Sequence, residues 1–168
     1  PLFKVSINIG IFPSSSSGTM GKVEFTLYDI TDVVNSKFND GKGLTGFTNS
    51  QGDQQAMQGR VDTISKSIQA SFNAAYDATH GVDPAKLTSE MGKNEYLSGA
   101  QKVATKAIDK DGNVSFENVK AYDASKPQKY HYYAAVETKT PRGFVVPPSE
   151  PVIFVNPYTN PNGDGFLS

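Results

Sequence analysis

The sequence lacks cysteine and tryptophan throughout its 168 residues. Without cysteine the protein has no disulfides, no thiolate nucleophile and no thiolate ligands for a metal. Charge is nearly balanced, with 16 basic and 17 acidic side chains and a net charge of -1. This balance gives no electrostatic reason to expect nucleic acid or an anionic membrane as a partner. No apolar run approaches the roughly 20 residues that cross a bilayer, so we expect no membrane insertion.

The residues that are present suit one globular domain over residues 1–168. Hydrophobic residues make up 37% of the chain, which is enough to build a core at this length. We find no internal repeat, no block of like charge and no linker between domains.

The first part of the chain predicts two strands. From residue 3 to residue 11 every odd position is apolar, whereas the even positions carry Lys4, Ser6, Asn8 and Gly10. This period of two is typical of a strand with one buried face, over residues 3–12. A second strand is predicted over residues 22–30, with Val23, Phe25 and Leu27 on one side.

Four further runs in the second half of the chain have strand character. Residues 101–108 and 114–119 flank a cluster of glycine, asparagine and aspartate, which favours a hairpin. Residues 130–138 predict a tyrosine-rich strand. Val152–Val155 is a short apolar run with prolines on both sides, which indicates a strand at the edge of a sheet or a strand with irregular ends.

The middle of the chain has a helical pattern. Residues 39–59 hold several glycines and few large apolar residues, so they predict a loop. From about residue 60 to about residue 77, apolar side chains recur at three- and four-residue steps and predict an amphipathic helix. Residues 84–99 are expected to add one short turn or helix. The resulting fold class is an all-β sandwich of six or seven strands with an inserted amphipathic helix.

The polar residues give weak support to a catalytic or metal site. Asp109, Asp111 and Asn113 resemble the start of a calcium loop, but an EF-hand needs glycine at its sixth place and glutamate at its twelfth. The residues found are Gly112 at the fourth place and Lys120 at the twelfth, so we interpret the segment as a turn. We therefore expect no catalytic residue, no metal and no cofactor.

The only two histidines, His80 and His131, lie in different segments, and no catalytic or zinc-binding motif joins them. We interpret His80 as the end of a helix and His131 as part of a surface or packing cluster.

Three tyrosines are candidates for ligand contact. Tyr130, Tyr132 and Tyr133 have the chemistry of a sugar-binding platform, because aromatic faces stack on sugar rings. An alternating set of this kind also packs half inward and half outward on a sheet. Both interpretations remain open from the sequence.

Three separated stretches, taken in order, carry a family resemblance. They are VEFTLYDIT at residues 23–31, DGNVSFENV at residues 111–119 and YAAVETKTPRGF at residues 133–144. Together they resemble the Cna B-type, SpaA-like pilin domain of Gram-positive surface proteins, an immunoglobulin-like sandwich. The segment NPYTNPNGDG at residues 156–165 is similar to the close of the N-terminal domain of sortase-assembled pilins. In those proteins the next strand carries a Tyr-Pro-Lys-Asn motif, so we expect residues 1–168 to be a fragment of a longer, wall-anchored protein.

The resemblance also implies a cross-linking chemistry. Many domains of this family contain a Lys–Asn isopeptide bond promoted by a buried acid, and Glu137 occupies the position of that acid. The reactive lysine belongs on the inward face of the first strand, where burial keeps its amine neutral. Alternation puts Lys4 on the opposite face, and Asn156 is the nearby candidate for the second partner. We therefore predict that the partner lysine is absent and that no isopeptide bond forms.

The function implied by the resemblance is structural. We expect a subunit domain of a sortase-assembled pilus on the cell wall of a Gram-positive bacterium, joined to other pilin subunits and without enzymatic activity. The alternative is an adhesin module that contacts host matrix protein or glycan. Long insertions on a rigid sandwich are where recognition often occurs, which is the basis of that alternative.

Overall fold

A computed structural model of the chain describes residues 2–8, 23–38, 44, 51–123, 129–141, 150–155 and 166–167. The strands are β1 (Leu2–Asn8), β2 (Glu24–Asp29), β3 (Tyr76–Asp77), β4 (Gly81–Val82), β5 (Gln101–Ala107), β6 (Asn113–Lys120), β7 (Tyr122–Asp123), β8 (Lys129–Tyr130), β9 (Tyr132–Lys139), β10 (Val152–Val155) and β11 (Phe166–Leu167). The helices are α1 (Thr31–Lys37), α2 (Gln51–Ala74) and α3 (Pro84–Lys93).

Two antiparallel sheets face each other. The smaller sheet has the order β11-β1-β6 and the larger one the order β10-β9-β2-β5. Apolar side chains from both sheets meet between them in an inter-sheet core, whose buried members are Ile7, Val23, Phe25, Leu27, Ile108, Val114, Phe116, Val119, Tyr133, Ala135, Val152 and Phe154. Val23, Phe25 and Leu27 therefore share one face of their strand, as the alternation predicts.

A layer of helices covers the other face of the larger sheet. Tyr28 from β2 and Tyr132 from β9 contribute to a second, helical core on that side. The helical stripe predicted from the sequence supplies Val61, Ile64, Ile68 and Phe72, which are all buried there. Because β2 and β9 are covered on both faces, most of their residues are buried. The layers are thus sheet, sheet and helices.

The prediction of an all-β fold is wrong, because the described residues contain three helices, whereas one helix and a further short turn or helix at residues 84–99 were expected. They also contain eleven strands rather than six or seven, five of which are only two residues long. Helix α3 has Asp83 as its N-cap and Pro84 as its first residue. The Asp83 carboxylate accepts hydrogen bonds from the backbone N–H groups of Ala85 and Lys86. Both the N-cap aspartate and the proline are regular helix-start signals.

The boundaries of the predicted helix also differ from the structure. Helix α2 begins at Gln51, so the second half of the predicted 39–59 loop is helical, and it ends at Ala74 rather than near residue 77. Residues 39–43 and 45–50 lie outside the described part of the chain. In the described residues no helix is long and apolar enough to cross a membrane.

The predicted hairpin between residues 101–108 and 114–119 is also wrong. Strand β5 pairs with β2 in the larger sheet, whereas β6 pairs with β1 in the smaller one. The segment between them is a tight corner that carries the chain from one sheet to the other. Asp109 accepts hydrogen bonds from the backbone N–H groups of Asp111 and Asn113, and Gly112 adopts a left-handed φ of 80°.

The edge position predicted for Val152–Val155 is confirmed among the described strands, since β10 lies at one end of the larger sheet and pairs there with β9. Alternation in β1 is confirmed where the side chains are described, because Lys4 is exposed and Ile7 is buried. Residues 9–12, predicted to continue this strand, lie outside the described part of the chain.

Candidate functional site

Glu137 is a carboxylic acid buried between the two sheets. Its cross-strand partner is Phe25, a member of the inter-sheet core, and directly opposed residues of neighbouring strands share a face. Only 4% of Glu137 is exposed. The hydroxyl of the buried Thr140 donates a hydrogen bond of 2.7 Å to its Oε2 atom. The acid position implied by the resemblance therefore points into the interior of the sandwich.

Every lysine whose side chain the structure describes is exposed, Lys4 included. Strand β6 explains why Lys4 keeps its outward orientation. Phe3 pairs with Val119 and Val5 pairs with Phe116, so β6 has one more residue than β1 across this interval. Asn118, with a left-handed φ of 57°, lies in that bulge. Because the extra residue is in β6, the alternation of β1 does not slip.

The three tyrosines do not form an exposed platform, which corrects the sugar-binding interpretation. Tyr132 is fully buried in the helical core, and Tyr133 is buried on the opposite face in the inter-sheet core. Tyr130 is half-buried and packs edge-on against Tyr122 at a centroid distance of 5.8 Å. The alternating, sheet-packing interpretation of these residues is the correct one.

The hydroxyl of Tyr133 has a structural partner. It donates a hydrogen bond of 2.5 Å to the backbone carbonyl oxygen of Lys120. Burial raises the pKa of Tyr133 well above its usual value, and the negative charges of Asp29 and Asp123 raise this pKa further. The phenol therefore stays neutral and fastens β9 to the end of β6.

The two histidines have separate partners. His80 is exposed in the turn between β3 and β4, not at the end of a helix as predicted, and it faces Asp77 at 3.2 Å. His131 packs between Asp29 and Asp123, which agrees with its interpretation as part of a packing cluster. Among the described residues no group of three or more histidine, cysteine, aspartate or glutamate side chains is arranged to hold a metal ion.

Two carboxylates give the fold a dependence on acid pH. Hydrogen bonding from the backbone of His80 lowers the pKa of Asp77 below its ordinary 3.8, and the backbone of Thr79 adds to this effect. Hydrogen bonding from the side chain of His131 lowers the pKa of Asp123 in the same way. A carboxyl whose pKa is depressed on folding stabilises the protein above its unfolded pKa, and that contribution is lost as the pH falls through the folded value.

We therefore expect stability to decrease below about pH 4. Replacing Asp77 with asparagine keeps an acceptor oxygen and removes the charge, so the difference in free energy of unfolding between Asp77→Asn and the unaltered protein should shrink as the pH falls. Urea unfolding from pH 7 down to about pH 2.5 measures this difference. If the difference in free energy of unfolding between the two proteins stayed constant over that pH range, the stabilising role of the Asp77 charge would be contradicted.

A groove that sequence reasoning missed lies on the outer face of the larger sheet, beside α3. Its volume is about 540 Å³. Its lining includes the buried side chains of Tyr28, Met91 and Leu97, together with a row of threonines. In that row, Thr26 Oγ1 lies 2.8 Å from Thr105 Oγ1 and 2.7 Å from Thr138 Oγ1. The three threonines come from three different strands, so only the pairing of the sheet brings them together.

Comparison with known proteins gives one family. Residues 12–168 match the family described as Gram-positive pilin subunit D1, N-terminal domain. The chain has no significant match among curated proteins or among solved structures. The family match covers the β2, β6 and β9 segments that carry the resemblance, and it also spans the helical layer that the resemblance left unmatched. The chain belongs to the family of N-terminal D1 domains of Gram-positive pilin subunits.

Proposed function

We propose that this domain is a load-bearing building block of a sortase-assembled pilus, part of a longer wall-anchored protein, with no catalytic role. The observation that carries the proposal is the sharing of β2 and β9 between two apolar cores. Because both strands are buried on both faces, the sandwich and the helical layer cannot separate without exposing apolar surface to water. A domain of this construction resists deformation as one unit.

The helices favour an architectural role over recognition by loops. Helix α2 places Ile64, Ile68 and Phe72 against the sheet with no exposed surface. The end of α3 is fastened to α2 by the side chain of Asn94, which is 6% exposed. The inserted segments therefore enlarge the core, and they are built like a permanent layer of the domain.

Detection of the domain in covalent wall polymers tests this role. Sortase joins subunits through amide bonds, which survive boiling in detergent. Wall extracts probed with an antibody against this domain should give a ladder of bands spaced by one subunit, and deletion of the sortase should collapse the ladder to a single band. A single detergent-released band from wild-type cells would sink the proposal.

We also propose that the domain has no internal isopeptide bond. The support is the combination of a buried Glu137 with lysines that are exposed wherever their side chains are described. An exposed amine is protonated at neutral pH and does not attack an amide. Asn156, the candidate second partner, lies outside the described residues.

Intact-mass spectrometry measures this directly. The purified domain should have the mass calculated from its sequence, whereas isopeptide formation would lower it by about 17 Da, the mass of the ammonia released. The Glu137→Ala variant is the matched control, because loss of the promoting acid would abolish such a deficit. A deficit present in the unaltered domain and absent from Glu137→Ala would overturn the prediction.

A second candidate function is a ligand-binding adhesin module, and the observation that favours it is the groove beside α3. Its hydroxyl groups and the apolar floor made by Met91 and Leu97 are suited to a glycan or an extended peptide. A screen against collagen, mucin and glycans tests this function, with Thr105→Lys as the variant that narrows the groove. Saturable binding that is lost in Thr105→Lys would support the adhesin role. If no ligand in the screen binds saturably, the adhesin role is rejected and the structural role remains.

A further inference from the structure

His131 bridges two carboxylates from different parts of the fold. Its Nδ1 atom lies 2.7 Å from Oδ2 of Asp29, and its Nε2 atom lies 2.9 Å from Oδ1 of Asp123. The side chains of His131 and Asp29 are each 14% exposed, and that of Asp123 is 34% exposed. Asp29 is the last residue of β2, whereas Asp123 ends β7, so the imidazole ring ties the sandwich to the short β7–β8 ladder.

The geometry requires a charged ring. An ionised carboxylate only accepts hydrogen bonds, and a neutral imidazole has one N–H group and one bare nitrogen. Both ring nitrogens face a carboxylate oxygen at hydrogen-bond distance, so both must carry hydrogen. His131 is therefore an imidazolium between two carboxylates in this arrangement, and both contacts are charge-assisted hydrogen bonds.

The carboxylates of Asp29 and Asp123 differ in how many other groups fix their positions. Asp29 Oδ1 also accepts hydrogen bonds from the backbone N–H and the hydroxyl of Thr31, and that hydroxyl accepts the backbone N–H of Tyr132. Among the side chains that the structure describes, Lys120 at 3.4 Å is the further charged partner of Asp123. Its strand β7 consists of two residues paired with two residues of β8. Of the two contacts, the one to Asp123 is the weaker.

Among the described side chains, three strands besides β7 supply the charged and titratable groups around the ring; the side chain of Lys129, which lies opposite Asp123 in β8, is outside the described part. Asp29 belongs to β2 and Lys120 to β6, and the ring of Tyr133 in β9 stacks on the imidazole at a centroid distance of 6.1 Å. The phenol of Tyr133 is neutral because burial, together with the charges of Asp29 and Asp123, raises its pKa, and its hydroxyl donates to a backbone carbonyl. Lys120 neutralises part of the charge of Asp123 but donates nothing to the ring.

We propose that Asp29, His131 and Asp123 form a pH-sensitive clamp that holds the β7–β8 ladder to the sandwich while the ring is protonated. When the ring loses one proton to solvent, a bare nitrogen faces a carboxylate oxygen and the two repel each other. Asp29 stays in place because Thr31 holds it, so the contact to Asp123 opens. The ladder is then kept by its backbone pairing and by the hydrogen bond from the N–H of His131 to the carbonyl of Ala121.

The sign of the effect follows from proton linkage. The folded state with a closed clamp binds the proton, so its stabilisation is complete at mildly acid pH, where a histidine of the unfolded chain is also protonated and Asp123 is still ionised. It is lost as the pH rises and the folded ring gives up the proton. The change is opposite in direction to that expected for Asp77 below about pH 4, so the two are separable along the pH axis.

Thermal unfolding of the full subunit at pH 5.5 and pH 8.5 tests the clamp. Between pH 5.5 and pH 8.5 the Tm of the unaltered protein should fall by about 4 °C more than the Tm of His131→Gln, because glutamine does not titrate. Asp123→Asn should also flatten the pH dependence, since an amide N–H group can donate to the bare nitrogen of a neutral ring. His80→Gln is the matched control and should keep the behaviour of the unaltered protein. Equal pH dependence in all four proteins would overturn the proposal.

A measurement on the unaltered protein covers the case in which a variant fails to fold. Nitrogen-15 spectra of the imidazole groups report whether each ring nitrogen carries hydrogen, and the chain has only two histidines. At pH 5.5 both nitrogens of His131 should be protonated, and at pH 8.5 amide exchange at Asp123 and His131 should be faster. A ring with one bare nitrogen at pH 5.5, or exchange rates that rise no more than those of β2, would refute the clamp.

Discussion

Replacing Phe72 with alanine should lower the free energy of unfolding by about 3–5 kcal/mol. Phe72 lies in α2 with no exposed surface and packs in the helical core between the helices and the larger sheet. Truncation removes the ring and leaves a cavity that the surrounding residues fill only in part. Chemical denaturation followed by circular dichroism gives the value.

The control for this prediction is Lys66→Ala on the same helix. Lys66 is exposed, so its replacement should change stability by no more than about 0.5 kcal/mol. Comparison of the two variants shows whether the helical layer unfolds cooperatively with the sandwich. A loss below about 1 kcal/mol for Phe72→Ala would mean that the helices are an appendage to a sandwich that is stable without them.

The second large effect is expected at Asn94, whose amide joins α3 to α2. Its Nδ2 atom lies 3.1 Å from the carbonyl oxygen of Ser67 and 3.1 Å from the hydroxyl of Ser71. Its Oδ1 atom accepts the backbone N–H of Tyr96 at 2.9 Å. The residue is buried, so its removal leaves several polar groups without partners and away from water. We expect Asn94→Ala to cost about 2–4 kcal/mol of stability.

A further variant at this position separates hydrogen bonding from size, and a variant on α2 is its control. Asn94→Asp keeps the shape and the acceptor for Tyr96 but has no amide hydrogens, and it places a charge in a buried site, so it should destabilise at least as much as alanine. Asn73→Ala is the control, because Asn73 is exposed and its amide oxygen accepts a long hydrogen bond of 3.4 Å from the side chain of Gln69. Equal, small effects of Asn94→Ala and Asn73→Ala would show that the amide contacts contribute little.

The strands were predictable because their signal is local. In β2 the alternation of Val23, Phe25 and Leu27 reports directly on a buried face, and the structure places all three in the inter-sheet core. The segment Val152–Val155 was identified as an edge strand because flanking prolines cannot donate to a second neighbour. In both cases the deciding residues are adjacent in the chain.

The start of α2 was not predictable from the apolar pattern. Its first turns, from Gln51 to Gly59, contain a single buried side chain, Met57, and two glycines. Gly52 and Gly59 both face open space, so no packing partner explains them. Two glycines lower helix propensity by about 1 kcal/mol each relative to alanine, yet the stripe that begins at Val61 anchors the helix.

The sheet to which a strand belongs was also beyond local reasoning. Six of the seven residues of β5 are exposed, so its composition does not specify a partner. The turn after it has the glycine and aspartate hydrogen bonds that a hairpin also uses, although here it crosses between sheets. The choice between these structures depends on the pairing of β5 with β2, a contact that is distant in sequence.

The candidate functional residues also include some that the sequence predicts and some that it does not. The resemblance identified Glu137, and alternation alone placed Lys4 on the outer face, which agrees with its exposure in the structure. The clamp was not predictable, because His131 and Asp29 are separated by 102 positions. Sequence patterns report which residues share a strand face, whereas contacts of this kind require the paired sheets.

The central claim is that this pilin domain bears load through packing alone, without a covalent bond between its strands. Single-molecule pulling of the full subunit tests it most directly. If no internal bond exists, unfolding of this domain should release nearly its whole chain, about 550–600 Å from Leu2 to Leu167 at 3.3–3.6 Å per residue. A domain that withstands high force with little or no extension, because its first and last strands are covalently joined, would contradict the account.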